Sequence, residues 1–270
     1  MGGVARRGVL DRSLEATLRR DRWLVAASLV VVVALAWLYL WRDAESMRQM
    51  YMPDMPDMLM PGMARATGPA AFALTFAMWT VMMVGMMLPS AAATILLYGT
   101  LVRKNGERGT VLPGVWVFTS GYLAVWTGFS LLATLLQMAL EQASLVTPMM
   151  VSASRSLSAA ILIAAGIYQW LPFKEACLRR CRSPLQFFVT RWRPGTSGAL
   201  RMGAESGAYC VGCCWALMLL LFVAGVMNLL WVALIAGFVF VEKLLPGRRL
   251  ASSFAGLALV LSGVALLIKP

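Results

Sequence analysis

The sequence predicts an all-α membrane protein, a polytopic bundle of about seven transmembrane helices. Two features of its composition predict this class: 60% of the 270 residues are hydrophobic, and only 13% are charged. A soluble domain of this size is roughly half apolar and a quarter charged. Apolar runs recur from Trp23 to Ile268, each close to or beyond the roughly 20 residues that cross a bilayer. We therefore expect one membrane domain with no sizeable extramembrane part.

The predicted elements follow one another along the chain. A basic segment, 1–22, precedes an apolar run, 23–41, which we interpret as a retained first helix because it is long and no A-x-A cleavage pattern follows it. A Met-rich segment, 42–70, then leads into a six-helix membrane domain, 71–268. The helices of that domain are predicted over 71–102, 111–140, 155–173, 207–225, 228–245 and 251–268.

One apolar stretch, 207–245, is too long for a single crossing at about 1.5 Å per residue. Gly225 and Asn228 lie near its middle and favour a tight turn. We therefore predict two separate helices on either side of these residues.

The distribution of Lys and Arg predicts the orientation in the membrane. These residues concentrate at 1–22, 103–108, 174–201 and 243–249, and the cytoplasmic loops of membrane proteins collect them. We predict an N-terminus inside, a C-terminus outside, an outer loop 42–70 and a basic cytoplasmic loop 174–206, in a bacterial inner (plasma) membrane. The same bias explains the net charge of +12, so the lipid bilayer, and no nucleic acid, is the expected partner.

The absence of histidine narrows the chemistry. The chain contains no His but has 19 Met and five Cys, so the commonest metal ligand is missing. Walker A, Rossmann and His-containing triad patterns are also missing from the sequence. We therefore assign no organic cofactor and no catalytic residue, and an enzyme is not favoured.

The outer segment is unusually rich in methionine. Prolines 53, 56 and 61 exclude a regular core helix, and Asp54 and Asp57 interrupt its apolar character. Thioethers are neutral, soft ligands that suit Cu(I), so we predict metal capture; the alternative is a loop whose Met side chains rest on the membrane surface. The predicted ligands in this segment are Met50, Met52, Met55, Met58, Met60 and Met63.

The second predicted helix carries a further run of methionines. Spacing of four places Met78, Met82 and Met86 on one face, and Met83 and Met87 on an adjacent face. Packing and a conduit for a soft metal ion both fit this stripe, and the second interpretation makes Met82, Met83, Met86 and Met87 ligands. Pro89 interrupts the backbone ladder, which neighbouring helices are expected to compensate.

The cysteines form two sets at the ends of the segment 174–206. Cys177 and Cys181 follow the fourth helix, and Cys210, Cys213 and Cys214 open the fifth. A reducing cytoplasm keeps such thiols free, and two to four converging thiolates bind Cu(I) or Zn(II). The alternative is that each is a small buried apolar residue. We predict one shared metal site.

Two groups of charged residues stand out in the predicted membrane domain. Lys174 and the arginines that follow it lie beside Cys177 and Cys181, and nearby cations favour thiolate. Glu242 and Lys243 end the sixth predicted helix. Intramembrane ionisable residues are functional candidates, but the simpler interpretation pairs these two with each other at the membrane interface.

Several stretches carry a family resemblance. They are MMVGMMLPS (82–90), GYLAVW (121–126), GIYQWLPFKEACLRRCRSP (166–184), GAYCVGCCWALM (207–218), MNLLW (227–231) and VEKLLP (241–246). Together they resemble a bacterial family of predicted metal-binding integral membrane proteins of unknown function. The resemblance covers about residues 70–268, without the first helix and the Met-rich loop, and it implies a membrane protein that binds metal.

Soft-metal handling, with Cu(I) as the expected ion, is the function that these residues favour. Outer methionines would collect the ion, those of the second helix would pass it inward and the cysteines would receive it, for a metallochaperone or metalloprotein recipient. Two alternatives remain open, a membrane thiol redox protein that uses the C-x-x-C and vicinal cysteines, and a non-catalytic membrane scaffold.

Overall fold

The computed structural model describes residues 2–50, 68–104, 111–145, 154–226, 228–244 and 249–268, and within these ranges every regular element is a helix. The predicted all-α class is therefore confirmed. The helices are α1 Gly2–Met50, α2 Pro69–Lys104, α3 Val111–Gln142, α4 Arg155–Tyr168, α5 Pro172–Arg182, α6 Pro184–Arg191, α7 Gly195–Met218, the single turn α8 Leu221–Ala224, α9 Leu229–Leu244 and α10 Arg249–Ile268.

The chain is a multi-pass membrane protein. Within the described ranges five helices are long and apolar enough to span a bilayer, namely Arg20–Ser46, Pro69–Arg103, Leu112–Gln142, Gly195–Ala224 and Leu250–Ile268. The pair α4 and α5, bent by 63° at its break, makes a sixth candidate. The sixth predicted helix, 228–245, corresponds to α9, which has 16 residues and a length of about 24 Å, short of the roughly 30 Å hydrocarbon core.

Large apolar side chains on the outer faces of the bundle are exposed, as a lipid environment requires. Val30 on α1, Leu132 on α3 and Phe254 on α10 are 66%, 65% and 68% exposed. Exposure of so much apolar surface to water would be strongly unfavourable in free energy. The predicted orientation, with the N-terminus inside, stays a prediction.

The segment 174–206, expected as a cytoplasmic loop, consists largely of helices. Pro172 and Pro184 stand at the first positions of α5 and α6, where the missing N–H of proline leaves no intrahelical hydrogen bond unmade. Phe187 and Phe188 on α6 are buried. The basic composition favoured a loop, although Lys174 on α5 is buried and Phe187 and Phe188 belong to the hydrophobic core.

The predicted break between 207–225 and 228–245 is present. Gly225 has φ of 92°, in the left-handed region that glycine adopts without strain, and the amide of Asn228 donates to its carbonyl at 3.0 Å. Helix α9 begins directly afterwards, at Leu229.

Pro89 illustrates how neighbouring helices compensate for a broken backbone ladder. Its ring removes the hydrogen bond that the carbonyl of Gly85 would accept four residues earlier. The indole Nε1 of Trp37, on α1, donates to that carbonyl at 3.3 Å. The predicted compensation is therefore confirmed, and it ties α1 to α2 beside the methionine stripe.

Helices α3 and α7 pack backbone to backbone through glycine. A Cβ added at Gly203 would lie 1.9 Å from the carbonyl oxygen of Phe118, and one at Gly121 would lie 2.1 Å from that of Leu200. Small residues of this kind let membrane helices approach closely. This contact fixes α7, which carries three of the five cysteines.

Gly203→Ala is expected to destabilise the protein by roughly 1–3 kcal/mol, because the new methyl group collides with backbone that cannot move independently. Gly128→Ala, on α3, is the matched control, since nothing lies within 4 Å of its Cβ position; we expect it to be neutral or mildly stabilising. Thermal unfolding in detergent micelles measures both. Equal stability of the two variants would contradict the close approach of α3 and α7.

Candidate metal centre

Four thiols meet where α5 packs on α7. Spacing of three and four residues places Cys210, Cys213 and Cys214 on one face of α7, and each is at most 1% exposed. The thiol of Cys181, in the last turn of α5, lies beside that of Cys213. We call Cys181, Cys210, Cys213 and Cys214 the thiol cluster. All four are free thiols.

Cys177 lies one turn before Cys181, against the backbone of α7. A Cβ added at Gly212 would lie 2.8 Å from its Sγ, so glycine at this position allows α5 to approach. The Cys177 side chain is 8% exposed. It therefore borders the thiol cluster from the side of α7 that carries Gly212.

Two thiols of the cluster donate hydrogen bonds to the protein backbone. Cys213 and Cys214 donate to the carbonyl of Cys210 at 3.1 Å and 3.0 Å. In the part of the chain that the structure describes, no three His, Cys, Asp or Glu side chains are already arranged to hold a metal ion. Coordination would therefore require rotation of the cysteine side chains, and the shared metal site stays a prediction.

Cys210 sits in a small polar environment built from three other helices. Lys243 of α9 donates from Nζ to Cys210 Sγ at 2.9 Å and to Ser90 Oγ at 2.8 Å. The hydroxyl of Tyr122, on α3, lies 2.9 Å from the same Sγ. An ammonium group at this distance gives a thiolate a charge-assisted hydrogen bond.

The simpler interpretation of Glu242 and Lys243 as a mutual pair is wrong. Successive helical residues point in different directions, and each of these two finds a partner elsewhere. Glu242 Oε1 accepts from Lys174 Nζ at 2.6 Å, both side chains being 1% exposed, and also from Ser252; Gln169 accepts from the same ammonium group. Since Lys174 is engaged by Glu242, Lys243 is the residue that brings positive charge to Cys210.

Sequence reasoning missed Lys243, Tyr122 and Ser90 as neighbours of the thiols. The signal that could have found Lys243 was its position in a helix that is apolar except for Glu242 and Lys243, since ionisable residues in membrane helices mark functional sites by default. Tyr122 and Ser90 offered no comparable signal, because hydroxyl groups are common in membrane helices.

The methionine stripe of α2 lies in the core and reaches the thiol cluster at one point. Its five side chains are buried, as the packing interpretation predicts. Met87 Sδ also lies 4.0 Å from Cys214 Sγ, and the carbonyl of Met87 accepts from the Tyr122 hydroxyl at 3.3 Å. The five residues are Met78, Met82, Met83, Met86 and Met87.

The predicted ligands of the outer loop are the methionines from Met50 to Met63. Met50 ends α1, but its side chain lies outside the described residues. The segment with Met52, Met55, Met58, Met60 and Met63 also lies outside them. Their role as ligands stays a prediction.

Comparison with known proteins gives a match to a protein family. No curated protein and no solved structure matches the chain significantly. A family model described as "PpoB2: Copper chaperone" matches residues 76–266. These residues include α9, both cysteine sets and the methionine stripe. They are nearly the same residues that carry the family resemblance described above. Because the match covers well over half of the chain, the protein belongs to the PpoB2 copper chaperone family.

Proposed function

We propose that this protein handles copper as Cu(I) and that the thiol cluster holds the ion. The observation that carries the proposal is the meeting of three buried thiols of α7 with the half-buried thiol of Cys181 on α5, beside Met87 of α2. Thiolate and thioether sulfur are the donors that Cu(I) prefers. Copper here is the cargo of the protein and not a resident cofactor.

The donor types define a direction of transfer. The outer methionines, 50–63, would collect the ion, the stripe of α2 would pass it inward, and the thiol cluster would receive it. Thioethers are neutral whereas thiolates are anionic, so the affinity for a soft cation rises towards the cysteines. A metallochaperone or a metalloprotein would then take the ion from the thiols.

Lys243 gives the thiol cluster a way to carry negative charge inside the membrane. One Cu(I) ion held by two thiolates has a net charge of −1, and an unpaired buried charge is strongly unfavourable. The ammonium group 2.9 Å from Cys210 Sγ would neutralise that charge. The site thus combines soft donors with a fixed counter-charge.

The proposed direction requires the orientation that the charge distribution predicts, in a bacterial inner membrane. A reporter fused after residue 105 should then read inside, and one fused after residue 270 should read outside. The opposite readings would place the thiol cluster near the outer face and reverse the proposed route.

Metal content of the purified protein tests the proposal directly. Wild-type protein and a variant with all five cysteines replaced by Ser are loaded with Cu(I) under anaerobic, reducing conditions and then dialysed. We expect the wild type to retain more copper than the Cys-less variant, and Zn(II) to compete poorly. Equal copper content in both proteins would remove the thiol cluster as a copper site, and oxidation of the cysteines without metal binding would favour thiol redox chemistry instead.

A further inference from the structure

Two contacts fix how α2 lies against the span formed by α7 and α8. The rings of Trp79 and Phe222 lie 5.3 Å apart, and Met87 Sδ lies 4.0 Å from Cys214 Sγ. Moving eight residues forward along α2, from 79 to 87, corresponds to moving eight residues back along the other span, from 222 to 214. The two segments therefore run antiparallel, with equal numbers of residues between the two contacts.

That register places Met83 level with Met218. Met83 is four residues from each contact residue of α2, and Met218, the last residue of α7, is four residues from Cys214, so each lies on the face of its helix that carries those contacts. Met83 is 0% exposed and Met218 is 1% exposed. A thioether from each helix thus occupies the level between the Trp79–Phe222 contact and the Met87–Cys214 contact.

We propose that Met83 and Met218 form a thioether site for a soft monovalent cation, Cu(I) or its analogue Ag(I), one helical turn before the thiol cluster. This inference rests on the proposed function and adds Met218, which lies outside the methionine stripe. The level is apolar and supplies neutral donors, which favours a soft, singly charged ion over Zn(II). Hard cations require oxygen ligands.

The spacing explains what such a site would contribute to transfer. One helical turn corresponds to about 5.4 Å, so an ion at the Met83–Met218 level is within a single step of Met87 and Cys214. Neutral donors bind the ion less tightly than the thiolates that follow. The ion can therefore move from the two thioethers to Met87 and Cys214 and keep sulfur ligands during the step.

The test compares Met218→Leu with Met202→Leu in the full chain, with the outer-loop methionines replaced by Leu so that they do not bind the ion. Met202 is the matched control, because it is also on α7 and 0% exposed but lies on the far side of the cysteines. Leu keeps the volume and apolarity of Met, so only the sulfur is removed. Selenomethionine labelling allows copper X-ray absorption to detect copper–selenium scattering.

We expect the copper–selenium signal to fall in Met218→Leu and in Met83→Leu and to be unchanged in Met202→Leu. Equal signals in Met218→Leu and Met202→Leu would overturn the inference. The same comparison in the Cys-less background separates this inference from the proposed function: a selenium-bound ion that persists there and is lost on Met218→Leu supports the thioether site even if the thiol cluster fails. Thermal unfolding of each variant identifies any loss caused by misfolding.

Discussion

Cys213→Ser is expected to remove most of the thiolate-bound copper. The thiol of Cys213 lies beside those of Cys181, Cys210 and Cys214, so it is the sulfur that connects α5 to the other thiols of α7. A hydroxyl group in its place is a poor ligand for a soft ion. Copper stoichiometry of anaerobically purified protein measures the loss.

Cys177→Ser is the matched control for this prediction. From the sequence, a site shared by all five cysteines would lose similar amounts of metal with either substitution. Since Cys177 lies against Gly212 beside the cluster, we now expect a smaller loss than for Cys213→Ser. In both proteins bound copper should decrease as the pH falls, because protons compete for the thiolates. Unchanged copper in Cys213→Ser would eliminate the shared site.

Lys174→Met should be the most destabilising single charge removal among the described ion pairs. It leaves the carboxylate of Glu242 buried, with both side chains of the original pair only 1% exposed. Breaking a buried pair in this way costs about 3–5 kcal/mol. Denaturant or thermal unfolding in detergent measures the change in the free energy of unfolding.

Two further variants show whether the lost pairing is the cause. Adding Glu242→Gln to Lys174→Met removes the stranded charge, so the double variant should recover part of the lost stability. Arg191→Met breaks a more exposed pair with Glu205, whose side chains are 39% and 21% exposed, and should change stability by at most about 1 kcal/mol. A Lys174→Met variant as stable as Arg191→Met would show that the Lys174–Glu242 pair contributes little.

Several conclusions were available from the sequence because they depend on local patterns. Apolar runs of membrane-spanning length predicted the all-α membrane class, and Gly225 with Asn228 predicted the break before α9. Pro89 predicted a freed carbonyl, and Trp37 satisfies it. The copper-binding character was also visible, because soft sulfur donors in a chain without histidine favour a soft metal ion.

Where the helices meet was decided by the tertiary structure. The sequence contained the cysteines in two sets, but glycine contacts such as Gly203 with Phe118 and Gly212 with Cys177 set how closely the helices carrying them approach. The sequence also did not show which residues the two lysines contact, because Lys243 contacts Cys210 and Lys174 contacts Glu242 on different helices. Hydropathy and spacing determine which face of a helix is buried, whereas the register between two helices depends on packing along their whole length. For the same reason the sequence did not indicate the proposed pairing of Met218 with Met83, which rests on the contacts of α2 with Cys214 and Phe222.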